Sequence, residues 1–274
     1  MKTSMTRKQW LLSGFVAFTC LASTAAGAGP IENYSPVTAQ RLENPEPSNW
    51  MLYRRTYDGQ GYSPLDQINT SNVKNLTPVW TFATGVVEGH EAPPIVNNGV
   101  MFVATPMGQV IALNAKTGDE YWRYKRQLPD DLFQLHPTSR GVGLWEDKLY
   151  LATTDDHVVA LDAKTGKVVW DTKVQDYKKG QYMTLMPLII DGKVIVGGSG
   201  GEFGVRGLCR RLRCQGRQGA VADLHHSGRG RARSRHLAGR RLEERRRLGL
   251  DDRQLRQGDQ DDLLGCRQCR AVAR

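Results

Sequence analysis

The sequence predicts an all-β fold built from propeller blades, and three observations support this. A turn motif, ALNAKTGDEYW at residues 112–122, returns 48 residues later as ALDAKTGKVVW at residues 160–170. Each copy lies among short apolar runs of strand length, separated by turn residues. A period of forty-odd residues with about four short strands in each period is typical of propeller blades.

The repeated motif predicts a β-hairpin with a bulge. Asn114 and Asp162 open the two turns, and their side chains can accept hydrogen bonds from the turn backbone. Gly118 and Gly166 follow four residues later, where a type I turn ends in a residue of positive φ. A tryptophan closes each motif and is expected to occupy equivalent positions in successive blades.

The remaining segments extend the same pattern. Residues 50–69 contain polar, aromatic and turn residues without periodicity, which predicts a loop packed on the scaffold. Asn98-Gly99 predicts a tight hairpin turn. The predicted strands are 76–82, 93–96, 100–104 and 110–113, then 141–145, 148–153, 157–161 and 168–170, and finally 185–191 and 193–197.

Residues 1–28 have the pattern of a secretory signal peptide. Basic residues at positions 2, 7 and 8 precede an apolar run at 10–22, and Ala26-Gly27-Ala28 forms a small-residue cleavage site. The alternative is a membrane anchor, but the apolar run is short for a membrane span. The sequence therefore predicts an exported, periplasmic chain without a membrane span.

The composition changes near Gly207. The chain has a net charge of +10, and all of this excess lies in residues 208–274, which contain 18 arginines and no lysine or aromatic residue. Arginine-rich segments are typical of nucleic-acid binding, but this one lacks the aromatic residues on which bases stack.

Cys266 and Cys269 are not followed by the histidine that a c-type haem site needs, and no second pair of cysteines has the spacing of a zinc site. We therefore expect no nucleic-acid partner, and a disordered tail at 208–274.

A shifted reading frame explains this tail. If the last two bases of each codon are joined to the first base of the next, residues 208–221 permit YVAAYDAKDGKxxW, a third copy of the turn motif. Three later segments also match expected blade sequence in the right order. The tail is therefore interpreted as an out-of-frame translation of further blade sequence.

Several motifs resemble the quinoprotein alcohol dehydrogenases of the methanol and ethanol type, which use pyrroloquinoline quinone (PQQ) and calcium. They are YSPLDQIN at 62–69, NVKNL at 72–76, the motif at 160–170, and GGSGGEFGVRG at 197–207. The resemblance covers about residues 49–207. It implies that residues 29–207 form the N-terminal blades of an eight-bladed propeller that this chain leaves incomplete.

The glycine-rich motif also implies a metal ligand. Glu202 matches a carboxylate that binds calcium in the family, and carboxylate oxygens suit a hard cation. Ser199 matches a hydroxyl that binds a carboxylate of the cofactor. Gly200 and Gly201 allow a flat cofactor to approach the backbone closely. The motif does not distinguish calcium from a lanthanide as the bound metal.

Three residues elsewhere match positions that contact PQQ in the family. Glu91 matches a carboxylate beside the quinone, Arg140 an arginine that stabilises negative charge on the reduced quinone, and Thr184 a hydroxyl that binds a cofactor carboxylate. One departure is clear, because Gln134-Leu135 stands where many relatives have two adjacent cysteines. No disulfide can form there, which favours a divergent branch of the family.

The resemblance implies oxidation of a small alcohol to an aldehyde, with electrons passed to a cytochrome c or quinone acceptor. The family's catalytic aspartate is expected beyond residue 274, so this chain alone is expected to be inactive. The alternative is a non-enzymatic propeller scaffold of the outer-membrane assembly type, which shares the repeated turn and tryptophan. Such a scaffold has no need for Glu91, Arg140 and Glu202 together.

Overall fold

The described residues form three successive antiparallel sheets, each with four strands. The structure, a computed structural model, describes residues 30–205, 207, 209–215 and 222–224, so the predicted signal peptide lies outside the described residues. Blade 1 comprises β1 (Ile95–Asn97), β2 (Val100–Thr105), β3 (Gln109–Asn114) and β4 (Glu120–Lys125). Blade 2 comprises β5 (Gly143–Trp145), β6 (Lys148–Ala152), β7 (His157–Asp162) and β8 (Val168–Lys173). Blade 3 comprises β9 (Leu188–Ile190), β10 (Lys193–Gly197), β11 (Cys209–Arg213) and β12 (Ala222–Leu224).

Strands within each blade are paired in sequence order, which confirms the predicted all-β class. The only α-helix among the described residues is α1 (Ala39–Glu43), which Thr38 caps through its side chain. No helix in the described part of the chain is long and apolar enough to cross a bilayer.

The turns follow the predicted chemistry. Asn114 Oδ1 accepts hydrogen bonds from the backbone of residues 116 and 117, and Asp162 Oδ1 does so from residues 164 and 165. Gly118 and Gly166 have φ values of 79° and 69°. In both hairpins the strand register shifts just before the turn, so the predicted bulge is present.

Tryptophans join neighbouring parts of the scaffold through one repeated contact. Each indole NH donates to a backbone carbonyl of the next repeat, and two of the rings lie directly over a turn glycine. The pairs are Trp80 with Ala115 (3.3 Å), Trp122 with Ala163 (3.1 Å) and Trp170 with Cys214 (3.4 Å). Trp122 and Trp170 therefore occupy equivalent positions, as predicted.

Two apolar clusters form the core, one on each side of blade 2. The first joins blades 1 and 2 to the N-terminal segment, and Phe102, Leu144 and Leu161 are fully buried within it. The second lies between blades 2 and 3 and includes Tyr150 and Val194. Blade 2 is therefore packed on both faces, against blade 1 and against blade 3.

Two predictions require correction. The segment 76–82 was expected to be a strand, but its backbone is not paired with any described strand. Trp80 nevertheless occupies the docking position described above. The expected disorder after Gly207 does not apply to residues 209–213 and 222–224, because β10 offers a free edge with which β11 pairs over its whole length.

The burial of β11 differs from that of its counterparts. The corresponding strands β3 and β7 bury five and four of their six residues, whereas β11 buries only Leu212. Arg210 and Arg211 stand where the other two blades have apolar side chains, whereas Arg213 stands where they have Asn114 and Asp162.

Candidate functional site

The predicted site residues lie in loops that meet at one end of the blades. Arg140 and Thr184 precede β5 and β9, the first strands of blades 2 and 3, while the segment 199–202 follows β10. Because β9 and β10 are antiparallel, the start of one lies beside the end of the other. An isolated bridge between Tyr182 and Ser199 continues this pairing beyond the strands.

Arg140 contacts two of the other sequence-predicted residues, Glu91 and Thr184. Its Nη2 lies 2.9 Å from Glu91 Oε2, and its Nη1 donates to Thr184 Oγ1 at 2.5 Å. The backbone NH of Arg140 also donates to the carbonyl oxygen of Thr184 at 2.9 Å. The side chains of Arg140 and Glu91 are 35% and 47% exposed, so the guanidinium remains open to a ligand.

The second group of predicted residues is a tight loop from Ser199 to Phe203. Gly200 has a φ of 122°, and a Cβ there would lie 2.2 Å from the carbonyl oxygen of Gly180. Only glycine therefore fits at position 200. A Cβ at Gly201 would meet no atom within 4 Å, so this part of the loop borders open space.

Glu202, at the tip of this loop, accepts a hydrogen bond from the phenol of Tyr182. This hydrogen bond lowers the pKa of the exposed Glu202 carboxyl. Burial, together with the hydrogen bond and charge of Glu202, raises the pKa of Tyr182 to about 12. The pair is therefore a neutral phenol donating to a charged carboxylate at neutral pH.

Sequence reasoning missed Tyr182. A signal was available, because alternate residues of an extended segment point the same way, and Tyr182 lies two residues before Thr184. The segment 182–184 thereby links the two groups, one around Arg140 and one around Glu202.

Gln134 and Leu135 lie in the loop between blades 1 and 2. Gln134 Oε1 accepts a hydrogen bond from Thr154 Oγ1 at 2.9 Å, whereas Leu135 is 44% exposed. Nearby, Phe133 contacts Phe203 edge to face, with ring centroids 5.9 Å apart. A hydrogen bond at Gln134 and a ring contact at Phe133 therefore hold this loop without a disulfide.

The arrangement suits an anionic, flat cofactor. Arg140 offers a guanidinium, Thr184 and Ser199 offer hydroxyls, and the backbone at Gly201 can be approached closely. The metal set is only partly present, since no group of three His, Cys, Asp or Glu residues suited to a metal occurs among the described residues. Glu202 is the one predicted metal ligand in this part of the chain.

Comparisons with known proteins agree with this geometry. The family described as "PQQ: Glucose/ethanol/alcohol dehydrogenase, beta-propeller domain" matches residues 50–203. The quinoprotein alcohol dehydrogenase PedH of Pseudomonas putida is 44% identical over 152 residues, which are 54% of this chain and 26% of the relative. The quinohemoprotein alcohol dehydrogenase ADH-IIG of Pseudomonas putida is 41% identical, over 59% of this chain and 23% of the relative.

Solved structures show the same relationship. A protein described as europium-containing methanol dehydrogenase superposes with a TM-score of 0.63 at 35% identity, covering 67% of this chain and 33% of that protein. The chain therefore spans about a quarter of the curated relatives above and a third of this structure.

Proposed function

Because the chain belongs to the PQQ β-propeller family of glucose, ethanol and alcohol dehydrogenases, we propose that it supplies part of the cofactor-binding face of a periplasmic alcohol dehydrogenase. The whole protein would oxidise a small alcohol to an aldehyde and pass electrons to a cytochrome c or quinone. The observation that carries the proposal is the convergence of Arg140, Glu91 and Thr184 in one contact group beside the loop of Ser199 and Glu202.

The residues would divide the binding of PQQ between them. Arg140 would hold an anionic oxygen through fixed, charged donors, and its contact with Glu91 fixes the direction of the guanidinium. The hydroxyl groups of Thr184 and Ser199 would donate hydrogen bonds to carboxylates of the cofactor. When bound, PQQ supplies the two-electron acceptor for alcohol oxidation.

Glu202 would contribute one oxygen ligand to a hard cation beside the cofactor. Calcium is the family expectation, and a lanthanide is the alternative, supported by the similarity to the europium-containing methanol dehydrogenase. Hard cations need six to eight oxygen ligands. The described residues supply one predicted ligand, so we propose that the 274-residue chain alone does not oxidise alcohols.

The out-of-frame tail is part of the same proposal. Cys214 accepts the hydrogen bond of the Trp170 indole as Ala163 accepts that of the Trp122 indole, so Cys214 and Ala163 occupy equivalent positions. The shifted reading frame places an alanine at position 214. Sequencing the coding DNA across codons 200–215 tests the shift directly.

The activity is tested with two proteins, the chain as given and a full-length form with the frame restored after Gly207. Both are assayed for PQQ-dependent dye reduction with calcium and with europium. We expect turnover only in the restored form, and a loss of at least about tenfold in the Arg140→Gln variant, which removes a charged donor. Arg123→Gln, which removes an arginine paired with Glu120 on β4, is the control and should retain activity.

Turnover by the 274-residue chain would contradict the proposed inactivity. Inactivity of the restored form with every metal would favour the scaffold alternative.

A further inference from the structure

Two chain segments around Glu202 are fixed against each other by several independent contacts. The backbone NH of Ser199 donates to the carbonyl oxygen of Tyr182 at 2.9 Å. Gly200 packs against the backbone of Gly180, and the ring of Phe203 meets that of Tyr182 edge to face at 6.4 Å. The phenol of Tyr182 is thus held at one place relative to the Glu202 loop.

Apart from the Tyr182 phenol, only the backbone NH of Glu202 itself contributes a hydrogen bond to the pKa shift of its carboxylate. Its side chain is exposed, and a solvated carboxylate at a loop tip has no need of a protein partner. The phenol nevertheless donates to its Oε1, which leaves Oε2 as the oxygen available to a cation. Carboxylates that bind metals are themselves commonly oriented by such outer hydrogen bonds.

We propose that Tyr182 is a positioning residue that orients the Glu202 carboxylate for one-oxygen binding of a hard cation. The inference rests on the metal role of Glu202 in the proposed function. It adds a residue that contacts the metal-binding carboxylate of Glu202 but not the metal itself. The phenol restricts the carboxylate to one rotamer before the metal arrives, so less conformational entropy is lost on binding.

The same chemical pair occurs nearby in a place without a predicted metal. The phenol of Tyr177 donates to Asp131 Oδ1 at 2.8 Å, and both groups are on the surface. Tyr177→Phe therefore removes an equivalent hydrogen bond and serves as a matched control for Tyr182→Phe.

The experiment titrates europium(III) into the full-length, frame-restored protein, which supplies the remaining ligands expected for the family, and follows luminescence excited directly at the ion. Glu202→Gln defines the binding that depends on Glu202. We expect Tyr182→Phe to weaken that binding by about tenfold, within the range for removal of an outer-shell partner. Tyr177→Phe should leave it unchanged, and Tyr182→Phe should have no further effect in the Glu202→Gln background.

Each other outcome contradicts the inference. Affinity within twofold of the parent, or an equal loss in the Glu202→Gln background, would show that the phenol does not act through Glu202. If Glu202→Gln binds europium as the parent does, the metal role of Glu202 is wrong and the inference falls with it. Dye reduction by the frame-restored protein then decides separately whether the proposed activity stands.

Discussion

The indole NH of Trp170 donates to the carbonyl oxygen of Cys214, although Cys214 lies in the arginine-rich tail. The contact uses a backbone carbonyl, so any residue at position 214 can provide it. The side chains around it are less interchangeable, because the equivalent tryptophans in the two earlier repeats lie over a glycine three residues after the accepting alanine.

The first prediction concerns that glycine in blade 2. A Cβ at Gly166 would lie 2.5 Å from the Trp122 ring, and the residue has a φ of 69°. We expect Gly166→Ala to lower the free energy of unfolding by about 3 kcal/mol, from backbone strain and overpacking together. Gly59 has a similar φ of 73° but no atom within 4 Å of a Cβ, so Gly59→Ala should cost about 1 kcal/mol. Equal losses in urea unfolding would show that the tryptophan contact does not require glycine.

A second prediction concerns the equivalent position in the tail, which lies outside the described residues. The residue three places after Cys214 is Arg217, and the shifted reading gives glycine there. We expect Arg217→Gly to raise the free energy of unfolding by about 1 kcal/mol, because the tryptophans of the two earlier repeats lie over a glycine at this place in the sequence. The neighbouring Gln218→Gly should give no gain, because it only adds backbone freedom. A gain from both variants would attribute the effect to tail flexibility.

The third prediction concerns the ion pair between blades 1 and 2. Arg126 Nη2 lies 2.7 Å from Asp155 Oδ2, with side chains only 9% and 5% exposed, and Nη1 reaches Asp171 at 2.8 Å. Arg126→Gln would leave the Asp155 charge buried, so we expect a loss of about 3 kcal/mol in chemical denaturation. The surface pair of Lys178 with Asp131, whose side chains are 63% and 60% exposed, provides the comparison, and Lys178→Gln should cause a much smaller loss. Similar losses of unfolding free energy in the two variants would show that burial does not determine how much the ion pair contributes to stability.

The fourth prediction concerns Asp156, whose carboxylate is buried without a hydrogen-bond partner. Burial, with the charges of Asp155 and Asp176, raises its pKa from 3.8 to about 7. The native state therefore binds more protons than the unfolded chain between these values, and stability falls as the pH rises through this window. Lys173 and Arg210 oppose the shift.

Asp156→Asn removes this titration and suits the φ of 66°. We expect the variant to be about 1–2 kcal/mol more stable than the parent at pH 8 and little different at pH 4. Exposed Asp66→Asn is the control and should show no such pH-dependent gain. An Asp156→Asn difference that is constant with pH would show that the carboxyl does not titrate in this range.

The sequence determined the blade architecture because its signals are local. Turn chemistry at Asn114 and Gly118, and its repetition 48 residues later, specified hairpins that need no distant partner. The motif from Ser199 to Glu202 also singled out candidate site residues, whose roles stay a prediction. What these residues do together was not visible in the chain order.

Only the tertiary structure decided those relationships. It showed that Arg140 reaches both Glu91 and Thr184, and that Tyr182 donates to Glu202, because blade packing brings together loops far apart in the chain. It also decided the strand assignments at two places. Residues 76–82 have strand-forming residues without a described neighbour, whereas the arginine-rich segment 209–213 is a strand because β10 supplies the backbone partners. Pairing depends on an available edge as much as on composition, and an edge exists only once the chain has folded.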